Sequence, residues 1–267
     1  MTTSDTATPK EPVTAPPPQR RSYLRRALLV LEAFEYRDVD VSLAELTRRT
    51  ELPKPTVYRI ANELTQCGLL ERSGAGYQLG VRVFMLGERV PRHTSLRDLA
   101  TPFLEDLYEA THENVNLGVL HGTQILFLAR VTGHRSSDVL LRVGDTLPAY
   151  STSCGKILLA HAPREVVEQV IDEGLTRLTP NTTVMPGMFW QQLRKAARDG
   201  YSVNLEETHR GTVSVAAPVT DADHHVVAAI SVTGRAGRFR VDRVAPAVRT
   251  AALGLSRELE RIQISQR

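Results

Sequence analysis

The sequence predicts an α+β protein, with a winged helix-turn-helix near its N-terminal end and a mostly antiparallel sheet in its C-terminal part. A capping box and a proline-started helix lie close together between residues 42 and 67, and two short strands around a glycine-rich turn follow them. From residue 114 onwards the pattern changes to strands, then helices, then strands again, which is the order of elements in α+β domains.

Residues 1–19 are rich in Thr and Pro, and we expect them to be a disordered tail because they contain too little apolar surface to fold. A positive cluster follows at Arg20, Arg21, Arg25 and Arg26. Such a cluster can bind phosphates or enter a minor groove, and a solubilising helix start explains it equally well.

The first helix is predicted from Ser22 to about Glu35. One apolar stripe is formed by Leu24, Leu28, Leu31 and Phe34. We expect this stripe to pack against the two helices that follow.

The helix-turn-helix begins at Ser42, where the serine hydroxyl and the Glu45 carboxylate are predicted to cap a helix that runs to about Arg49. Prolines between residues 52 and 55 then end one helix and start the next. This second helix runs to Cys67, with Gly68 as a left-handed cap. Its predicted buried face consists of Val57, Ile60, Ala61 and Leu64.

The opposite face of the second helix is polar and suits contacts with phosphates and major-groove base edges, with Arg59 as the first choice for a base contact. The residues predicted to bind double-stranded DNA are Arg25, Arg26, Lys54, Thr56, Tyr58, Arg59, Asn62 and Arg72. A helical hairpin with a solvated face remains the alternative. Strands at Leu69–Arg72 and Tyr77–Leu79 around a glycine-rich turn are predicted to form the wing.

The predicted domains are a DNA-binding domain at residues 20–82, linker helices at 83–113 and a second domain at 114–267. One linker helix spans Val81–Val90 and is ended or kinked by Pro91, and another spans Leu96–Thr111. The apolar side of the second linker helix is predicted to be Leu99, Phe103, Leu107 and Ala110.

The second domain is predicted to open with a hairpin of Val115–Leu120 and Gln124–Leu128 and a third strand at Val139–Val143. Helices follow at Ser151–His161, Glu165–Glu173 and Phe189–Arg198. Strands then return at Ser202–Leu205, Val213–Val219 and Val226–Thr233, before a long helix at about Val241–Ile264.

Composition narrows the class of protein. The chain has 267 residues, 42% of them hydrophobic, which is enough for two domains. No apolar segment is long enough to span a bilayer and no signal peptide is evident, so we expect a cytoplasmic protein without a membrane partner. Cys67 and Cys154 are too few for a disulfide framework. A net charge of +3 permits nucleic-acid binding without requiring it.

Several motifs together resemble the IclR family of bacterial transcription regulators, from about Arg20 to Arg261. They are Leu43–Leu46, Leu52–Arg59, Tyr77–Gly80, Thr152–Lys156, Gly200–Tyr201, Val215–Val219 and Val226–Gly234. The resemblance implies a winged helix-turn-helix, a linker helix and a GAF-like effector-binding domain. It also implies a homo-oligomer, a dimer or a dimer of dimers, that controls catabolic or metabolic genes in response to small organic molecules, often carboxylates, without a cofactor.

The family's effector pocket corresponds here to Ser153, Cys154, Asn204, Ser214, Ser231 and Thr233. Asn204 replaces an acidic residue of many relatives and Ser214 a cysteine of some, so ligand specificity cannot be transferred. Pro55 replaces a common Ser or Thr and removes a hydroxyl that can contact phosphate. Ser153 to Lys156 lie at a predicted helix N-terminus, which favours a carboxylate, although the serines there can equally be simple caps.

Parts of the sequence also match three other chemistries. Ser153 and Lys156 match the Ser-x-x-Lys motif of penicillin-binding enzymes, but the partner motifs are missing from the sequence. Cys154 at a helix N-terminus suggests a thiol-dependent enzyme or redox sensor with a lowered pKa. A metal site can be drawn from Asp221, Asp223, His224 and His225, but they lie in a turn-like segment where polar residues are expected.

Overall fold

A computed structural model describes residues 22–36, 38–133 and 141–265. The chain divides after Val90 into two compact units. The predicted disordered tail, Arg20 and Arg21 lie outside the described residues. Among the helices that are described, none is both long and apolar enough to cross a membrane.

The first unit contains three helices, a two-stranded hairpin and a short fourth helix. They are α1 (Tyr23–Glu32), α2 (Leu43–Thr50), α3 (Lys54–Gln66), β1 (Leu70–Ser73), β2 (Gly76–Leu79) and α4 (Val81–Gly87). The Ser42 hydroxyl accepts the Glu45 N–H at 3.1 Å, as predicted. The predicted cap by the Glu45 carboxylate is wrong, because this carboxylate binds the guanidinium groups of Arg48 and Arg49. Gly68 has a φ of +71°, the left-handed conformation expected at the end of α3.

The buried face of α3 is the predicted one, but only half of the predicted stripe on α1 packs against the core, namely Leu31 and Phe34. Leu24 and Leu28 are 70% and 47% exposed, whereas Ala27 and Val30 are buried. Both faces of α1 carry apolar residues, so periodicity alone does not identify the side that meets α2 and α3.

The linker segment also differs from the prediction. Pro91 neither ends nor kinks a helix but begins α5 (Pro91–Thr111), a position that suits proline because no helical N–H is needed there. The buried side of α5 is formed by Leu96, Ala100, Leu104 and Leu107. The predicted side is therefore rotated, with Leu99 and Phe103 half-buried and Ala110 exposed.

The second unit is built on a six-stranded, fully antiparallel sheet with the order β5-β4-β3-β8-β7-β6. Its strands are β3 (Asn114–His121), β4 (Gln124–Val131), β5 (Thr146–Pro148), β6 (Ser202–Leu205), β7 (Thr212–Thr220) and β8 (Val226–Arg235). Its other helices are a 3₁₀ turn (Ala149–Ser151), α6 (Ser153–Leu159), α7 (Arg164–Asp172), α8 (Pro186–Asp199) and α9 (Val241–Ser265).

The predicted third strand at Val139–Val143 is wrong for the three of its residues that the structure describes. Residues 139 and 140 lie outside the described residues, and residues 141–143 have no strand structure. The strand that pairs with β4 is β5, which begins after a turn at Gly144. This turn is held by a bond from the Gly144 N–H to the Phe127 carbonyl at 2.8 Å. A third strand is therefore present beside β4, but its pairing with β4 begins at Thr146, after the turn.

The two faces of the sheet are covered by different helices. α5 and α9 pack on one face, over alternate strand residues such as Leu117, Val215 and Ile230. α6, α7 and α8 pack on the other, where Phe127, Ala216 and Ala229 join the core. A cavity lies on this second face, between the sheet and α6.

Candidate effector site and DNA-binding face

A cavity between α6 and the sheet brings together all six residues predicted to bind an effector. It encloses about 530 Å³, counted with the part that opens to solvent. Its lining consists of Asn114, Asn116, Phe127, Arg130, Leu141, Leu147, Thr152, Ser153, Cys154, Asn204, Thr208, His209, Thr212, Ser214, Ser231 and Thr233.

The floor of the cavity consists of polar side chains that lie opposite one another on neighbouring strands. One row runs across β4, β3 and β8 as Arg130, Asn116 and Ser231. A second row crosses β3, β8, β7 and β6 as Asn114, Thr233, Ser214 and Asn204. Directly opposite residues have Cβ atoms roughly 4.5–5.5 Å apart, so each row is a continuous polar surface.

A β-bulge in β4 determines that Arg130 faces the cavity. Residues 127 and 130 would point to opposite faces of a regular strand, because side chains alternate. The pairing shifts between Leu117 and Gly118, so Gly118 pairs with Phe127 while Asn116 pairs with Arg130. The extra residue on β4 therefore turns both side chains to the same face.

Arg130 is the only residue with a permanent charge among the described residues that line the cavity. Its guanidinium donates to the Leu141 carbonyl. Burial lowers the pKa of Arg130, and the nearby Asp145 carboxylate opposes that shift. No acidic side chain belongs to the described lining.

The N-terminus of α6 is less available than the sequence suggested. The Thr152 hydroxyl accepts the Gly155 N–H at 2.9 Å, and the Thr152 carbonyl accepts the Lys156 N–H at 3.0 Å. Thr152 is therefore the cap, and two of the four predicted anion donors are already bonded. The Ser153 hydroxyl forms a 2.7 Å bond with the Ser214 hydroxyl across the cavity.

Cys154 contributes its thiol to the cavity wall as an apolar group. It is 1% exposed, and burial raises its pKa to about 12. This corrects the hypothesis of a lowered pKa, because desolvation of the thiolate outweighs any effect of the helix N-terminus. A thiol that stays protonated near neutral pH is a poor nucleophile and a poor redox sensor.

Asn204 also lines the cavity, but its side chain holds the loop after β6. It donates to the Thr208 hydroxyl at 2.9 Å and accepts the Glu207 N–H at 2.8 Å. Glu207 in turn forms a buried ion pair with Lys156, both side chains being at most 6% exposed. Lys156 is thus committed to Glu207 and is not a base for Ser153, which removes the basis of the Ser-x-x-Lys hypothesis.

The candidate metal cluster is a turn between β7 and β8. Asp221, Asp223 and His225 have ligand atoms within 4.8 Å of one another. However, the Asp221 carboxylate accepts the backbone N–H groups of Asp223 and His225 at 3.0 and 2.9 Å. These bonds are those of an ordinary aspartate turn and account for the cluster without a metal.

The residues predicted to bind DNA lie on the first unit, mostly on α3. Lys54, Tyr58 and Arg59 are exposed, and Thr56 is half-buried. The guanidinium of Arg59 lies 5.5 Å and that of Arg26 5.9 Å from the Tyr23 ring centre. The Arg72 guanidinium donates to the Asn62 side chain at 3.0 Å, which connects the hairpin to α3. Arg25 is exposed on α1.

Sequence reasoning missed Arg130 and two buried asparagines, Asn114 and Asn116. The available signal was the alternation of polar residues at 114 and 116 within an apolar strand, since buried polar side chains need partners or a ligand. Arg130 was missed because the predicted strand stopped at Leu128, whereas β4 continues to Val131.

Comparison with known proteins identifies both units. The family model described as the bacterial transcriptional regulator IclR C-terminal matches residues 89–257. The model described as the IclR helix-turn-helix domain matches residues 24–74.

Individual relatives agree with these matches. The Pca regulon regulatory protein of Pseudomonas putida is 32% identical over 244 residues, which cover 91% of this chain and 84% of that protein. The glycerol operon regulatory protein of Streptomyces coelicolor is 32% identical, with 88% of this chain and 95% of that protein covered. A similar solved structure is the crystal structure of an IclR homolog from Microbacterium hydrocarbonoxydans complexed with 4-hydroxybenzoate. The two structures superpose with a TM-score of 0.83 and 32% sequence identity, over 90% of this chain and all of that chain.

These relatives are regulators rather than enzymes, and they match the helix-turn-helix unit and the cavity-bearing unit together. The protein belongs to the IclR family and is a DNA-binding transcriptional regulator.

Proposed function

We propose that the protein works in the cytoplasm and controls a catabolic operon in response to a small organic acid that binds in the cavity between α6 and the sheet. The observation that carries this proposal is a cavity with a polar floor, one permanent positive charge and no acidic residue among its described lining. An IclR homolog of similar fold binds 4-hydroxybenzoate, which supports an aromatic acid as the first candidate.

Several side chains can orient such a ligand. Ser231, Thr233 and the Ser153–Ser214 hydroxyl pair offer hydrogen bonds to polar substituents. Cys154 and Phe127 offer apolar contacts to a ring. We assign Asn204 the role of shaping the wall, because both ends of its amide are already bonded within the loop after β6.

For the DNA complex, we propose that α3 enters the major groove with Arg59 directed at base edges. Lys54, Thr56, Tyr58 and Asn62 accompany it on the same helix. Arg25, Arg26 and Arg72 contact phosphates next to α3. The exposure of Arg59 and Lys54 supports this arrangement, since the side chains are available to a duplex.

The proposal predicts that ligand and operator binding are coupled. We expect the effector to change operator affinity by roughly 5- to 150-fold, in one direction or the other. The measurement is fluorescence anisotropy of an operator duplex, selected from random sequences with the full chain, titrated with and without aromatic and short aliphatic acids. Ser231→Ala should reduce this change while ligand-free operator affinity stays within about twofold, because Ser231 belongs to the second unit and α3 to the first.

A matched control is Ser256→Ala. Ser256 is also a buried serine of the second unit, but it bonds the Ala252 carbonyl and the Thr220 N–H and does not line the cavity. Its variant should keep the full ligand response. Equal responses in the wild type and both variants would show that the ligand binds elsewhere.

We further propose that the protein is a homo-oligomer. α4 buries none of its residues, and its side chains Val81, Phe84 and Met85 are 64%, 67% and 50% exposed. A helix with this much apolar surface is unfavourable in water and is typical of an interface. Sedimentation equilibrium of the full chain at micromolar concentration should give at least a dimer, and Phe84→Asp should weaken it. A wild-type monomer would contradict the proposal.

A further inference from the structure

We propose that the anionic group of the ligand binds to Arg130 and Asn116, at the side of the cavity formed by β3 and β4, and not at the N-terminus of α6. This inference rests on the proposed function, because it assigns one end of the same cavity to the carboxylate. It fixes the orientation of the ligand and the class of compound that the site selects.

The first argument is charge and shape. A guanidinium is planar and binds a carboxylate through two parallel N–H···O bonds, which a single ammonium group cannot do. It has five N–H donors, more than its bond to the Leu141 carbonyl uses. Because the side chain is partly buried, its attraction to an anion is screened less than on an open surface.

The second argument is the environment of Asn116. This side chain is 2% exposed, and no described residue donates to its Oδ1. Its Nδ2 lies 3.5 Å from the Ser231 hydroxyl, a long hydrogen bond. A buried amide with an unsatisfied atom is costly, which indicates a partner that enters the cavity.

Asn116 can take either orientation toward a ligand. A rotation of its amide by 180° lets Ser231 donate to Oδ1 and leaves the Asn116 NH₂ group to donate to the ligand. Asn116 lies directly opposite Arg130 in the β3–β4 register, on the same face. The two side chains therefore form one donor surface for a carboxylate.

The third argument is the opposite end of the cavity. α6 has seven residues, and its Gly155 and Lys156 amides are already bonded to Thr152. The charge of Lys156 is neutralised by Glu207. What this end offers is the uncharged hydroxyl pair of Ser153 and Ser214, which suits a hydroxyl or carbonyl substituent of the ligand.

Phe127, Leu147 and Cys154 supply the apolar part of the lining. The arrangement selects a monocarboxylic acid whose apolar body carries an uncharged polar group at the end remote from the carboxylate. A dicarboxylate of the same length is selected against, because its second charge meets no cation among the described lining residues.

The test uses the full chain and calorimetric titration with 4-hydroxybenzoate and a panel of other aromatic and short aliphatic monocarboxylates, each paired with its neutral primary amide. The wild type should prefer an acid to its amide by roughly 10- to 100-fold, as expected for charge-assisted bonds. Arg130→Met should abolish this preference, and Arg130→Lys should retain part of it. Arg164→Met, which removes an exposed arginine outside the cavity, is the control and should change neither affinity.

A second variant covers the case in which Arg130→Met fails to fold. Asn116→Asp places a negative charge beside Arg130, so the ratio of acid affinity to amide affinity should fall by about tenfold or more. Thermal unfolding followed by fluorescence of Trp190, the single tryptophan of the chain, checks that each variant is folded.

The outcomes separate the two proposals. If folded Arg130→Met and Asn116→Asp keep the wild-type preference for the acid while Ser153→Ala loses it, the anion binds at α6, and the inference is overturned although the proposed function stands. If the wild type binds no acid of the panel, the acid effector and the inference are both overturned. Loss of the preference in the two variants with retention in Arg164→Met supports the inference.

Discussion

Lys156→Met lowers the free energy of unfolding of the second unit by about 3–5 kcal/mol, because it leaves Glu207 as an unpaired charge in the interior. Lys156 and Glu207 are 3% and 6% exposed, so water does not replace the lost partner. Burial lowers the pKa of Lys156 and the Glu207 carboxylate opposes this shift, which identifies the pair as mutually dependent. Urea unfolding followed by Trp190 fluorescence measures the loss, since Trp190 lies on α8 of the same unit.

A surface ion pair of the same unit provides the control. Lys195 pairs with Asp199 on α8, and its side chain is 65% exposed. Lys195→Met should cost less than about 1 kcal/mol, because exposed pairs contribute little. The double variant Lys156→Met/Glu207→Leu should recover much of the loss, since it removes both charges. Equal effects of Lys156→Met and Lys195→Met would show that the buried pair does not stabilise the loop after β6.

Arg59→Ala weakens specific operator binding by roughly 1–3 kcal/mol for each half-site in which Arg59 contacts a guanine, so a dimer on two half-sites loses up to about twice that amount. Binding to unrelated duplexes should change less, because most of that affinity comes from phosphate contacts. Anisotropy titrations with operator and scrambled duplexes at fixed salt measure both quantities.

Two comparisons make this result specific to Arg59. Arg164→Ala also removes one positive charge, but from the exposed surface of the second unit, and should leave the operator affinity within about twofold. Tyr23→Leu removes the aromatic ring beside Arg59 and tests whether that contact orients the guanidinium. Unchanged operator binding by a folded Arg59→Ala protein would remove Arg59 from the set of base contacts.

The sequence was sufficient to predict those features that depend on residues within one short segment. The serine cap at Ser42, the left-handed Gly68 and the buried face of α3 depend on residues a few positions apart. The strands β6 to β8 were predicted within two residues because they are apolar and bounded by turn residues. The family resemblance added that Ser153, Ser214 and Ser231 share one site, and the cavity contains all three.

Packing between distant segments decided the rest. On α1 and α5 more than one apolar face was available, and the partner helices determined which side is buried. Lys156 and Glu207 are 51 positions apart in the sequence, so no local spacing pattern predicts their ion pair. Arg130 points into the cavity because a bulge in β4 shifts the alternation by one residue, and a bulge depends on the pairing with β3. The sequence by itself therefore determined the fold class, the family and six of the residues that line the cavity. The position of Arg130 depended on strand register, which exists only when two strands are paired.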